Sequence, residues 1–80
     1  MGEIPDLATL IVRDPDGREW RVEATRDRGS AKPWDVSVVR LGGLRPKSRW
    51  RVPGDIDIDA EVSRVASLLR AGTDPSELTP

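Results

Sequence analysis

The chain has 80 residues, 34% of them charged, a net charge of −1, and no cysteine, histidine or tyrosine. Those absences remove disulfide frameworks, thiolate metal sites and histidine-based catalysis, and the length gives one small domain that buries about three fifths of the surface its unfolded chain exposes. No run has the length of a membrane span or the apolar core of a signal peptide, so the expectation is a cytoplasmic protein.

Residues 1–6 read as a leader, with Pro5 opposing regular structure, and the domain proper as 7–72. Leu7 to Arg13 and Arg18 to Thr25 alternate apolar and polar residues around Asp14-Pro15-Asp16-Gly17. Proline presets the first central residue of a type I turn, and Gly17 accepts the left-handed conformation that follows it. That turn pairs Asp14 with Arg18. The register then sets Val12 against Trp20, Leu10 against Val22 and Ala8 against Ala24 on one face. Arg13 with Glu19, Ile11 with Arg21 and Thr9 with Glu23 fall on the other. A slip of one residue would exchange the faces, so the pattern specifies the hairpin.

Arg26 to Pro33 reads as a loop. Trp34 to Leu41 alternates again, with Trp34, Val36 and Val38 on one face and Asp35, Ser37 and Val39 on the other; Gly42-Gly43 ends it. Ser48 to Val52 is a short fourth strand, Trp50 and Val52 inward, Arg49 and Arg51 outward. The pairing expected for this second hairpin sets Val38 against Trp50 and Val36 against Val52. Pro53-Gly54 stops the strand. A helix over Ile58 to Ala71 follows, because Ile58, Val62, Val65 and Leu69 recur on one helical face. Asp57 or Asp59 caps it, Asp59 and Glu61 complement its dipole, and Gly72 ends it. Residues 73–80 read as a tail in which Asp74 caps one short turn begun by Pro75.

The expected fold is α+β: a four-stranded antiparallel sheet of two hairpins, with one C-terminal helix packed on its apolar face because nothing else can cover it. The predicted core is Leu10, Val12, Trp20, Val22, Trp34, Val36, Val38, Trp50, Val52, Ile58, Val62, Val65 and Leu69. All three tryptophans fall on valine-bearing faces, which favours core over base stacking. Trp34, at a strand start, is the one expected at the rim.

Charge is unevenly distributed. Residues 1–25 carry net −3, residues 26–51 net +6 and residues 52–80 net −4. Arginine outnumbers lysine eleven to two, a bias that a GC-rich genome explains and that also suits phosphate contacts. No serine has an evident base beside it, and no catalytic residue is expected. Asp55-Ile56-Asp57-Ile58-Asp59 opens like a calcium loop but has Ala60 and Ala66 where glycine and glutamate are required. It is read as capping sequence, and neither metal nor cofactor is expected.

The basic stretch Arg40 to Val52 remains. Arg21, Arg40, Arg45, Lys47, Arg49 and Arg51 are the candidate nucleic-acid-binding residues: a sheet face with arginines beside a basic loop can track a phosphate backbone. Against this stands a solvated face whose arginines pair with Glu19, Glu23 and Asp35. Ile11 and Val39, apolar on that same face, suit a buried interface. The leading expectation is thus a small non-catalytic module that binds nucleic acid through its basic face and loop. The alternative is a protein-interaction module or accessory subunit, homodimers included, that uses the open sheet face.

Four strands followed by a helix, with Arg45-Pro46-Lys47-Ser48-Arg49 just before the last strand, resembles in plan the single-stranded-DNA-binding transcriptional coactivators. The resemblance runs from Thr9 to Leu69 and implies paired domains that bind single strands through basic strands and loops. No diagnostic motif of that family is matched. Leu44-Arg45-Pro46-Lys47-Ser48 is also similar to a string in the small partner proteins of peptide synthetases. In that family the string lies near the C-terminus and accompanies a tryptophan-bearing motif that this chain lacks.

Overall fold

The computed structural model describes residues 6–27 and 32–78. Most of the leader, the middle of the first long loop and the last two residues lie outside them. Four strands, β1 (Asp6–Arg13), β2 (Glu19–Arg26), β3 (Trp34–Arg40) and β4 (Ser48–Val52), form one antiparallel sheet in the order β1-β2-β3-β4. Helix α1 (Ile58–Arg70) follows, then a 3-10 turn at Pro75–Glu77. The fold is α+β, as the alternation and helical periodicity predict. β1 begins at Asp6, inside the predicted leader, and β2 runs on through Arg26, inside the predicted loop.

The first hairpin has the predicted register residue for residue, from Ala8↔Ala24 to Arg13↔Glu19. Asp14 N–H donates to Arg18 O at 2.9 Å, Gly17 N–H to Asp14 O at 3.0 Å, and Gly17 adopts a φ of 85°. The Asp14 carboxylate fills the turn: Oδ1 accepts the Asp16 and Arg18 N–H groups, each at 2.9 Å, and Oδ2 accepts Trp20 Nε1 at 2.9 Å. These donors, the Trp20 ring foremost, hold its pKa below the ordinary carboxylate value.

The second hairpin departs from expectation. Val36 pairs with Trp50, Trp34 with Val52 and Val38 with Ser48, a shift of two residues. A two-residue shift keeps every side chain on its face, so the apolar pattern does not oppose it. Local hydrogen bonds decide the matter: Lys47 N–H donates to Val38 O at 2.8 Å, while Leu41 N–H donates to Glu19 O at 3.0 Å. The end of β3 thus stays with β2 after β4 has left it.

The core sits between the sheet and α1, which lies closest to β1 and β2. Val22, Val36, Val38 and Val65 are fully enclosed, and Trp20, Trp34 and Trp50 are buried. Trp34 is therefore not a rim residue. At 5% exposure it is enclosed, with the Arg26 guanidinium 4.3 Å from its ring centroid. The Trp34 and Trp50 ring N–H groups have no acceptor among the described residues, a cost that burial of such large rings outweighs. Leu10 and Ile58, predicted as core, are only half-buried, whereas Ala24, Ala66 and Leu78 are buried in it. Asp57 caps α1 by accepting the Ala60 N–H at 3.3 Å. Asp74 caps the 3-10 turn by accepting the Ser76 N–H at 2.9 Å, and the turn delivers Leu78 to the core.

Candidate interaction surface

Alternation along each strand puts one set of side chains on the sheet face away from α1. The two registers arrange that open face in rows: Leu7, Thr25, Asp35 and Arg51; Thr9, Glu23, Ser37 and Arg49; Ile11, Arg21 and Val39; Arg13 and Glu19. The acids lie on β2 and β3, Leu7 and Ile11 on β1 and Val39 on β3, while both open-face residues of β4 are the arginines Arg49 and Arg51.

The six basic candidates do not share a surface. Arg21, Arg49 and Arg51 lie on the open face. Arg40 pairs with the inward residue Trp20 and so projects on the helix side. Lys47 lines a cleft on that side with Arg18, Trp20, Asp74, Pro75 and Ser76. Arg45 stands in the β3–β4 loop beside Leu44, which is 99% exposed. Three of the open-face arginines, Arg13, Arg21 and Arg51, have acidic neighbours. Arg51 Nε donates to Asp35 Oδ1 at 3.1 Å, and Arg21 Nε lies 3.1 Å from Glu23 Oε2 without hydrogen-bond alignment. Arg13 pairs with Glu19 at 4.0 Å. Arg40, Arg45, Lys47 and Arg49 make no ion pair among the described residues.

The two interface candidates flank Arg21 in one row, Ile11 exposed and Val39 half-buried. Sequence reasoning missed Leu7, which is 61% exposed on the same face two rows from Ile11 at 55%. The signal was present, since Leu7, Thr9 and Ile11 alternate with inward Ala8 and Leu10. Arg26 was missed as well. Its guanidinium Nε donates to Asp6 Oδ2 at 3.2 Å and another nitrogen to Gly54 O at 2.7 Å. With its stacking on Trp34, Arg26 ties the start of β1 to the turn after β4.

The turn of the first hairpin also sets which backbone groups β1 leaves outward. The Asp14–Arg18 bond makes Val12:Trp20, Leu10:Val22 and Ala8:Ala24 the hydrogen-bonded pairs of the first hairpin, since such pairs alternate along an antiparallel ladder. The N–H and C=O groups of Leu7, Thr9, Ile11 and Arg13 consequently point away from β2, along an edge that no other described strand covers.

A cleft of ≈ 410 Å³ opens at the end of the molecule among Asp14, Arg18, Trp20, Gly72 and Asp74. Its two turn carboxylates are occupied. Asp14 is spent on its turn and Trp20, and Asp74, also held below the ordinary carboxylate pKa by the Ser76 N–H and hydroxyl, is spent on its cap. Among the described residues, no group of three His, Cys, Asp or Glu side chains could hold a metal ion, and no helix is long and apolar enough to cross a membrane.

Comparison with protein-family models, curated proteins and solved structures found no match. The resemblance to the coactivators therefore rests on element order alone.

Proposed function

We propose that this chain is a non-catalytic protein-interaction module that docks its partner along the β1 edge and the adjoining strip of the open face. One observation carries the reading: six consecutive uncharged residues, Leu7 to Val12, form an exposed edge strand in a chain that is 34% charged. Leu7 and Ile11 add apolar surface beside backbone groups that no described strand pairs, the combination used when an extended partner joins a sheet. The acids Glu19, Glu23 and Asp35 on the open face oppose phosphate there. Asp14 and Asp74 also argue against catalysis. Their pKa values are lowered, whereas acid–base work near neutral pH needs carboxylates raised toward it.

Phosphate binding is the second reading, and the unpaired cations Arg45 and Arg49 favour it. Selection of phage-displayed random peptides on the folded protein, with counter-selection on Ile11→Lys, separates the two. Docking predicts Ile11-dependent peptides with alternating apolar residues. Oligonucleotide anisotropy should meanwhile show no saturable binding at low salt. The docking reading fails if oligonucleotides bind with a steep salt slope, lost in Arg45→Ala/Arg49→Ala, while Ile11→Lys has no effect.

A further inference from the structure

We infer that the occupant of the β1 edge is a second copy of this chain, paired antiparallel, β1 against β1, about a two-fold axis at Thr9. This rests on the docking reading and names its partner. Exposed edges invite pairing with another chain, and proteins commonly blunt them with charge, proline, bulges or shortness. From Leu7 to Val12 β1 has neither charge nor proline, and its eight residues pair with β2 without a bulge.

Self-pairing must satisfy two conditions at once. The outward backbone groups belong to odd-numbered residues, so odd must meet odd. An isologous contact must also be complementary to itself. Centring the axis on Thr9 meets both. Thr9 then faces Thr9 of the other copy, and Leu7 faces Ile11 twice, burying the two large apolar side chains that β1 exposes on the open face. On the helix side Ala8 faces Leu10, small against large, and both are only partly buried in the single chain. Centring on Leu10 instead would set Leu7 against Arg13 and Ile11 against Thr9, leaving no apolar pair on the open face. The Thr9-centred register joins two four-stranded sheets into one of eight strands, with both helices on the same side.

Light scattering coupled to size exclusion should give twice the chain mass for the wild type. Thr9→Pro removes an N–H that points outward and no bond to β2, so it should give a folded monomer. Ile11→Lys, a surface change, should do the same, with far-ultraviolet dichroism and tryptophan emission unaltered in both. The register has its own test. The chain has no cysteine, so Thr9→Cys introduces a single thiol. Hydrogen-bonded partners lie about 5.5 Å apart between Cα atoms, inside the roughly 4.4–6.8 Å that a disulfide spans. Thr9→Cys should therefore cross-link under mild oxidation, while Leu41→Cys, away from the edge, should not. A monomeric wild type overturns the inference, and so does a dimer indifferent to both Thr9→Pro and Ile11→Lys. A dimer broken by Ile11→Lys but not cross-linked at Thr9→Cys overturns the register. If the wild type is monomeric yet still selects Ile11-dependent peptides, the second copy is excluded and the docking reading survives; if it selects none, both fall.

Discussion

β1 and β4 close the sheet on its two sides, and each turns a row of backbone groups away from its one neighbour among the described strands. β4 has five residues, follows shortly after Pro46, is stopped by Pro53, and points two exposed arginines outward. β1 has eight, and between Asp6 and Arg13 nothing on it discourages pairing. Their inward sides differ in the opposite sense. β4 is anchored by Trp50 and Val52, both buried, whereas β1 offers half-buried Ala8 and Leu10 and only one buried residue, Val12. The edge with the more deeply buried side chains is thus the protected one. The edge left open keeps half-buried side chains although α1 packs closest to it, as expected if its burial is completed by something outside the single chain.

The sharpest way to break this comparison is to truncate one anchor on each edge. Trp50→Ala should cost about 3–5 kcal/mol, and Leu10→Ala, half-buried in the isolated chain, about 2 kcal/mol, the low end for such truncations. A domain of this size has little more than that to lose. Urea unfolding, followed by dichroism because Trp50 is itself a reporter, measures both. Measured in the Ile11→Lys background, the Leu10→Ala cost isolates the single chain. Equal costs on the two edges there would show that β1 is as well anchored as β4.

A smaller effect tests how β1 is held to β2. The folded pKa of Asp14 lies below its unfolded value, so its contribution is complete above the unfolded pKa and is lost as pH falls through the folded one. The same sign applies to Asp74. Thermal stability should therefore decline as pH drops below about 4. Asp14→Asn keeps an oxygen for the Asp16 and Arg18 N–H groups but sets an amide donor against Trp20 Nε1. It should lower the melting temperature at neutral pH and make the acid decline shallower, leaving the part that belongs to Asp74. A melting profile as steep as the wild type's would remove Asp14 from the account of that decline.

How much of this was legible in the sequence follows the same division. The first hairpin could be read residue by residue, because Asp14-Pro15-Asp16-Gly17 fixes the turn and a one-residue slip is forbidden by the faces. The second could not. Its strands are joined by a long loop, and the true register differs from the expected one by two residues, a change the faces do not detect. Arg40 shares the side of Trp34, Val36 and Val38, which the alternation along β3 already implies, whereas the cleft that Lys47 lines depends on Asp74, Pro75 and Ser76 beyond α1. Leu78, a lone apolar residue beyond the helix stop, carries no periodicity that could announce its burial. Leu7 was visible in the alternation. A lone leucine at a strand start carries less signal than the five basic residues from Arg40 to Arg51 at the opposite edge.

The smallest expected effect lies at that opposite edge. If β4 is only a protected edge, its charges should contribute solubility and little else. The Arg51 side chain is 76% exposed and its Asp35 partner 39%. Such pairs give up side-chain entropy and are screened, so their coupling is usually under about 1 kcal/mol. A double-mutant cycle of Arg51→Ala and Asp35→Ala, by urea unfolding at low and moderate salt, should find a coupling within that limit that shrinks as salt rises. Asp35 sits between Thr25 and Arg51 in its row, so its removal exposes no new apolar surface and the cycle reports the pair itself. A larger coupling that resists salt would mean that the pair is shielded from solvent and helps to anchor β4. The contrast between a charged, protected edge and an apolar, open one would then have to be redrawn around Arg51.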